Sequence, residues 1–598
     1  MRRFLFLGRF YLGMKSEKII FIVFLLFGFS VFFNGLNGEF IHDDLLVLSH
    51  SFFSQFSKIF SFFGQPYFED FYQAGLYRPL TQISFGLNFL ISSSPLGFHL
   101  VNVLLHIVNS FLIFLFLRRF SKNFRLGLIS AFLFLVLPIH VEAVTSVVGR
   151  AELLSFFFGI LTLLLWLDFK YFLSAITLFL ALLSKETAVA VFGVVVLLGW
   201  HQKKRGVTRL GVPHSAQMKI EHYGGKEGQD PEFLKWLIYH SAAAGLYFIL
   251  RIIVLDQYAF QTKVEFVFNP LAYSSFFERI STALKILVIY LQKIFIPYRL
   301  SADYSYDQIP IVKDLFFSPL ALSGLLFLGL MLWVVYLVLR RKRDLIWTWS
   351  LIFFFLPYLV ISNLIFPTGT IMAERLMYFP SLGTVMILAL ANERLFRFSK
   401  QAGFVLLLIL SVVYGFITVS QNRVWTSREA LLVDSFKKSP NSVVAKTNYG
   451  ILILNQEKEL AKKLSLEVYE KYPDYIQNLN LRGAIEVQEG DFTEAEKFLE
   501  KALKLRPKHQ NTLQNLSRVY FTLGKYPEAE KTLKILVFEY GGTGNVIFYA
   551  LVQAKNNHFE QSRQTIYDFF GSDVKDESAL KILRREFKEL ENSFIFGK

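Results

Sequence analysis

The chain has 598 residues, 53% of them hydrophobic and 17% aromatic, with 67 Phe and only 18% charged side chains. That composition excludes an ordinary water-soluble enzyme, which would need more polar surface to cover its core. The formal net charge of +16 sits in short loops between apolar segments, so it reads as membrane orientation rather than nucleic-acid binding, and the absence of cysteine excludes disulfides, thiolate metal sites and a cysteine nucleophile.

A basic leader (Arg2, Arg3, Arg9, Lys15, Lys18) precedes the apolar run 19–33, and Asn34-Gly35-Leu36-Asn37-Gly38 offers no small-residue cleavage site, so an uncleaved first span is expected. Further spans are predicted near 98–117, 126–139, 152–168, 171–184, 187–200, 235–255, 318–339, 345–365, 380–394 and 402–420. The apolar stretch 281–297 carries Lys285, Gln292 and Lys293 and suits an interfacial or re-entrant helix. Basic clusters at the N-terminus, 118–125, Lys170, 203–205, 340–343 and 394–400 all fall on one side only if 281–297 does not cross. The expectation is an all-α polytopic bundle of about eleven crossings over 1–420, with a long extracytoplasmic loop at 36–97 and a C-terminus outside the cytoplasm.

From residue 421 to 598 the composition shifts to charged, mixed helices with a period of 34: Gly490-Asp491-Phe492 recurs as Gly524-Lys525-Tyr526, and Ala461, Ala495 and Ala529 are evenly spaced, as are Pro473 and Pro507. Small Ala lets paired helices approach and Pro ends the second helix of each unit. This part resembles the tetratricopeptide repeats, α-solenoids that bind proteins or peptides, with 544–570 as a degenerate repeat or cap.

Ionisable residues in the upstream loops are predicted to gather on one side of the membrane. His42-Asp43-Asp44 follows the first span, where an aspartate either takes a proton from a hydroxyl, holds a divalent metal, or simply caps the helix start. Arg78, in Tyr77-Arg78-Pro79-Leu80, is either a phosphate ligand or an interfacial anchor. His140 and Glu142, then Arg150 and Glu152, then Lys185-Glu186, form either a compensated network or a charged-headgroup site. Arg299 and Arg375 are further phosphate candidates, with Asp303 and Glu374 as their neutralising partners. The spacing of His99, Asn102, His106 and Asn109 draws one polar stripe on one helix face, which predicts interhelical hydrogen bonds.

Taken in order, Asp43-Asp44, Tyr77-Arg78-Pro79-Leu80, His99-Leu100-Val101-Asn102, Pro138-Ile139-His140-Val141-Glu142, Val148-Gly149-Arg150-Ala151-Glu152, Ser184-Lys185-Glu186, Arg299-Leu300-Ser301-Ala302-Asp303-Tyr304 and Ala373-Glu374-Arg375-Leu376-Met377-Tyr378 resemble the transmembrane-and-tetratricopeptide O-mannosyltransferases of the GT-C glycosyltransferase superfamily. The resemblance implies transfer, with inversion, of a sugar (mannose in the family) from a polyprenyl- or dolichyl-phosphate donor to Ser or Thr of a protein acceptor, which the repeats would hold. It implies Asp43 or Asp44 as the base and Arg78, Arg150, Arg299 or Arg375 as donor-phosphate ligands. His42, His140, Glu142, Glu152, Lys185, Glu186, Asp303 and Glu374 would support them. No cofactor is expected beyond a divalent metal at Asp43 and Asp44. The absence of cysteine and a Phe-, Lys-, Ile- and Leu-rich composition suggest a bacterial-type member in a bacterial cytoplasmic membrane, with the endoplasmic reticulum as the alternative, and the short repeat array departs from the longer ones of animal members. A non-catalytic scaffold that recruits proteins through its repeats is the alternative function.

Overall fold

The computed structural model describes residues 2–41, 43–48, 56–68, 75–205, 231–260, 264–340 and 346–570, and the regular structure among them is helical. His42, and the basic positions 341–343, lie outside the described residues. The chain divides into two units, Met1–Ser439 and Pro440–Lys598.

Five helices of the first unit are long and apolar enough to cross a membrane: Glu17–Gly35, Pro95–Ser121, Val147–Leu167, Leu234–Ala259 and Lys400–Thr426. A sixth is obtained if the bent pair Phe124–Val136 and Pro138–Thr145, which turns by 54°, is one span. The structure supports several candidate spans, five or six by length and composition among the described residues. Two of the other predicted segments form helices too short for a span, while 318–339 forms the 22-residue helix Pro319–Arg340. Tyr171–Ser184 ends where Lys185 turns extended, and Ile346–Ile361, with Pro357 inside it, has only 16 residues. The stretch containing Lys285 and Lys293 forms the helix Phe276–Phe295, which starts from a capping box between Ser275 and Glu278 and buries Ala283, Leu287, Tyr290 and Ile294 along one face.

The bend places a carboxylate inside the first unit. Pro138 cannot donate an amide, so the helix breaks and restarts, and the short segment Val141–Thr145 carries Glu142 into the interior. Against it packs Gly149, where an added Cβ would lie 2.1 Å from the Ala143 carbonyl oxygen; a side chain there would separate the two turns. The predicted polar stripe on Pro95–Ser121 is buried and bridges segments: Asn102 donates to the Ser146 carbonyl at 2.9 Å, His106 meets the Tyr378 hydroxyl at 2.8 Å, and Asn109 donates to the Leu153 carbonyl at 3.0 Å. The first loop has its own apolar cluster, in which Val47, Ile59, Phe62 and Tyr67 pack with Ile83, Phe85, Phe98 and Val147.

Among its described residues the second unit has four consecutive antiparallel helix pairs, from Val443–Ile453 to Phe559–Phe570. Ala461, Ala495 and Ala529 are fully buried, which is the close approach their spacing predicts. Gly490 and Gly524 take φ of +83° and +74° at equivalent turns, a backbone conformation that favours glycine. The segment 543–570 forms the fourth pair, Thr543–Lys555 with Phe559–Phe570.

Candidate active site

Asp43 and Asp44 open the helix Asp43–Leu48 and occupy very different surroundings. Asp44 is fully buried; one carboxylate oxygen accepts the Ile41 amide at 3.2 Å and the other accepts the Val148 amide at 2.9 Å. It therefore ties the first loop to the turn before Arg150. Burial raises its pKa to about 7, against the two amides, which favour the charged form. Asp43 is half-buried and has no hydrogen-bond or ion-pair partner among the described residues. Its electrostatic neighbours are Asp44, Tyr67 and Arg375.

Arg375 lies in the one-turn 3-10 helix Glu374–Met377. Glu142, 1% exposed, grips it twice: its oxygens accept the Arg375 amide at 2.8 Å and Nη1 at 2.5 Å. The guanidinium is one-third exposed, and its Nε and Nη2 have no protein acceptor among the described residues. A carboxylate that fixes one edge of a guanidinium leaves the other edge oriented for an incoming anion.

The other predicted phosphate ligands differ in availability. Arg78 makes a two-point pair with Glu186, Nε to Oε2 at 2.9 Å and Nη2 to Oε1 at 2.6 Å, and its guanidinium lies 5.1 Å from the centre of the Tyr67 ring. Arg150 is fully buried. It donates to Asn102, to Asn88 and to the carbonyls of Ser84 and Phe98, with the Phe85 and Phe98 rings 4.8 and 5.4 Å away. Its donors are committed to joining the helices Pro79–Ile91, Pro95–Ser121 and Arg150–Leu167, which is a packing role. Arg299 is exposed, has φ of +51° and rests over the Tyr298 ring.

The supporting residues separate into two groups. Lys185 and Glu152 form a buried ion pair, and Lys185 also lies within electrostatic reach of Arg78 and Glu186. Together with Asp43, Asp44, Tyr67, Glu142 and Arg375 they make one network of charged and polar groups. The second group surrounds Glu374, which is buried and accepts the Ser301 amide at 2.8 Å and the Tyr304 hydroxyl. Burial raises Glu374 to about 8 against the pull of Lys293. Glu374 thus lies within electrostatic reach of Lys293, whose ammonium donates to the Arg299 carbonyl at 2.7 Å, and among the described residues it makes no ion pair with Arg375 or Arg299. Asp303 accepts from Ser305, Oγ at 2.5 Å, so it shapes its own turn. His140 meets the Phe134 carbonyl at 2.9 Å and Ser381 at 2.7 Å, a packing role away from the network. Sequence reasoning missed Tyr67 and the role of Lys293. Neither sits in a distinctive motif; Tyr67 is one of 27 tyrosines.

A divalent ion at the aspartate pair would find Asp43 as its free carboxylate, since both Asp44 oxygens already accept amides. Among the described residues no three His, Asp or Glu are grouped so as to hold a metal.

The tetratricopeptide repeat family profile matches residues 486–543. Protein O-mannosyl-transferase TMTC3 of Mus musculus is 30% identical over 421 residues, covering 67% of this chain and 45% of that protein. Protein O-mannosyl-transferase TMTC1 of Homo sapiens is 27% identical over 508 residues (74% and 54%), and Tmtc1 of Drosophila melanogaster 26% over 529 residues (73% and 60%). The chain thus spans about half the length of the curated relatives it matches. The crystal structure of the APC/C hetero-tetramer Cut9-Hcn1 aligns over 85% of this chain and 93% of that one, with 13% identity and a TM-score of 0.23, too low to equate the folds. Relatives from mouse, human and fruit fly overturn the expectation of a bacterial-type member in a bacterial cytoplasmic membrane. What the chain is similar to, over two thirds of its length, is the animal protein O-mannosyl-transferases.

Proposed function

We propose that the protein is a membrane glycosyltransferase that moves mannose from a polyprenyl- or dolichyl-phosphate donor to Ser or Thr of a protein acceptor, working in the endoplasmic reticulum membrane of a eukaryotic cell. The observation that carries this reading is the nearness of Asp43, a carboxylate without a partner among the described residues, to Arg375, a guanidinium gripped on one edge only, in a charged network that also holds Arg78 and Glu186. The full count of about eleven crossings and a GT-C-type bundle belong to the same proposal.

In this reading the acceptor hydroxyl attacks the anomeric carbon from the face opposite the phosphate. Its proton passes to an Asp43 oxygen, the bond from the anomeric carbon to the phosphate oxygen breaks, and the configuration inverts. The lipid phosphate leaves carrying both electrons of that bond, and the free edge of Arg375 stabilises its growing charge. Glu142, bound to the Arg375 amide and Nη1, holds the guanidinium in place from the other edge. Arg78, already paired with Glu186, shapes the wall of the site, and Arg299 is the exposed cation at which a lipid phosphate could first dock. The repeats of the second unit would bind the acceptor protein.

Transfer of radiolabelled mannose from polyprenyl-phosphate mannose to protein, in membranes carrying wild type or Asp43→Asn at equal expression, tests the proposal. Label that depends on Asp43 supports it. The scaffold reading is favoured by one observation, that the matching family profile covers only repeats. It predicts protein recruitment that persists, and no label that depends on Asp43.

A further inference from the structure

Tyr67 is 2% exposed, its ring sits in the apolar cluster of the first loop, and its amide donates to the Leu76 carbonyl at 2.8 Å. Its hydroxyl is buried and, among the described residues, has no hydrogen-bond partner. Buried phenols ordinarily find one, because a buried hydroxyl left without a hydrogen bond is costly. The electrostatic neighbours of the Tyr67 oxygen are Arg78, Asp43, Asp44 and Arg375, all members of the charged network around the proposed base. Two more buried acceptors close by in the chain are also unmatched. Gln82 donates Nε2 to the carbonyls of Pro66 and Tyr67, at 3.1 and 3.2 Å, yet among the described residues its Oε1 has no donor, and the same holds for Gln65 Oε1.

We infer that the Tyr67 hydroxyl binds a hydroxyl of the donor sugar beside Asp43 and Arg375, an assignment that rests on the transferase reading. A sugar hydroxyl both donates and accepts, which matches a phenol that must satisfy both roles. A phosphate is the poorer occupant at this point, because Asp43 and Asp44 would repel it and Arg375 offers it a better place. Burial holds the phenol well above its usual pKa, so the proton needed to donate stays on it. Arg78 lies 5.1 Å from the centre of the ring, which helps hold the ring in place.

The test compares full-length wild type with Tyr67→Phe, which keeps the ring and removes only the oxygen. Binding of polyprenyl-phosphate mannose and of the free polyprenyl phosphate is read by ligand-induced thermal shift, with transfer measured in parallel. The expected result is a variant as stable as wild type or more so, with affinity for the mannosyl lipid lowered about tenfold and affinity for the bare phosphate unchanged. Equal binding of the mannosyl lipid by both proteins overturns the inference and leaves the hydroxyl to an ordered water. Loss of stability with unchanged ligand preference overturns it in favour of packing. Because binding is read apart from turnover, wild type that binds the mannosyl lipid without transferring mannose would remove the transferase reading alone.

Discussion

Replacing the two aspartates one at a time should produce opposite phenotypes. Asp43 is half-buried and unpartnered among the described residues, so Asp43→Asn removes a charge without orphaning any neighbour, and its effect on folding should stay within about 0.5 kcal/mol. As the base it should lower kcat for transfer by about 10²–10⁴-fold. Asp44 accepts two amides from two segments, and Asn offers one oxygen where two are used. Asp44→Asn thus leaves an amide facing an NH2 group at a fully buried site, at a cost of about 1–3 kcal/mol. Asp44→Ala orphans both amides and should cost about twice that. The assay pairs thermal unfolding in detergent with mannose transfer normalised to folded protein. A stable Asp44→Asn that is inactive, beside an active Asp43→Asn, would refute this division of roles.

Glu142→Gln should weaken the hold on Arg375 and lower transfer by about tenfold, with most of the loss in kcat, measured as initial rates against donor concentration. Glu152→Gln leaves Lys185 buried without its counter-charge and should destabilise by about 3–5 kcal/mol, seen as a lower unfolding temperature that Glu152→Gln with Lys185→Met partly restores. Gly149→Ala should destabilise the first unit, because its Cβ would sit 2.1 Å from a backbone oxygen that cannot move aside; the yield of folded protein by size-exclusion chromatography reports it. Asp44 and Glu374 both titrate above their ordinary range, at about 7 and about 8. Groups raised in this way contribute stability that is complete below their unfolded pKa and is lost as pH rises through the folded one. Unfolding temperature should therefore fall from about pH 5 to about pH 9, and Glu374→Gln should flatten the upper part of that curve.

How far the sequence foretold the site depended on whether each residue's role was local. The 34-residue period and the buried Ala461, Ala495 and Ala529 agree because each repeat packs only against its neighbours in the chain. The polar stripe on Pro95–Ser121 was legible for the same reason, since helical spacing alone sets its face. The arginines were not separable by sequence. Arg78 and Arg150 each stand in a short word of polar and apolar residues, yet Arg78 meets Glu186 from 108 positions away and Arg150 meets Asn88 and Asn102 from 62 and 48. Only the fold shows that Arg150 has its acceptors within the protein while Arg375, gripped on one edge by Glu142 from 233 positions away, keeps another edge without an acceptor among the described residues. The two aspartates make the point most sharply, being adjacent in sequence and identical in chemistry. What divides them is the helical turn at Asp43, which sends one carboxylate toward the Val148 amide and leaves the other beside Arg375. A candidate site assembled from loops between helices is specified by which partner each charge fails to find, and that is a property of the folded chain.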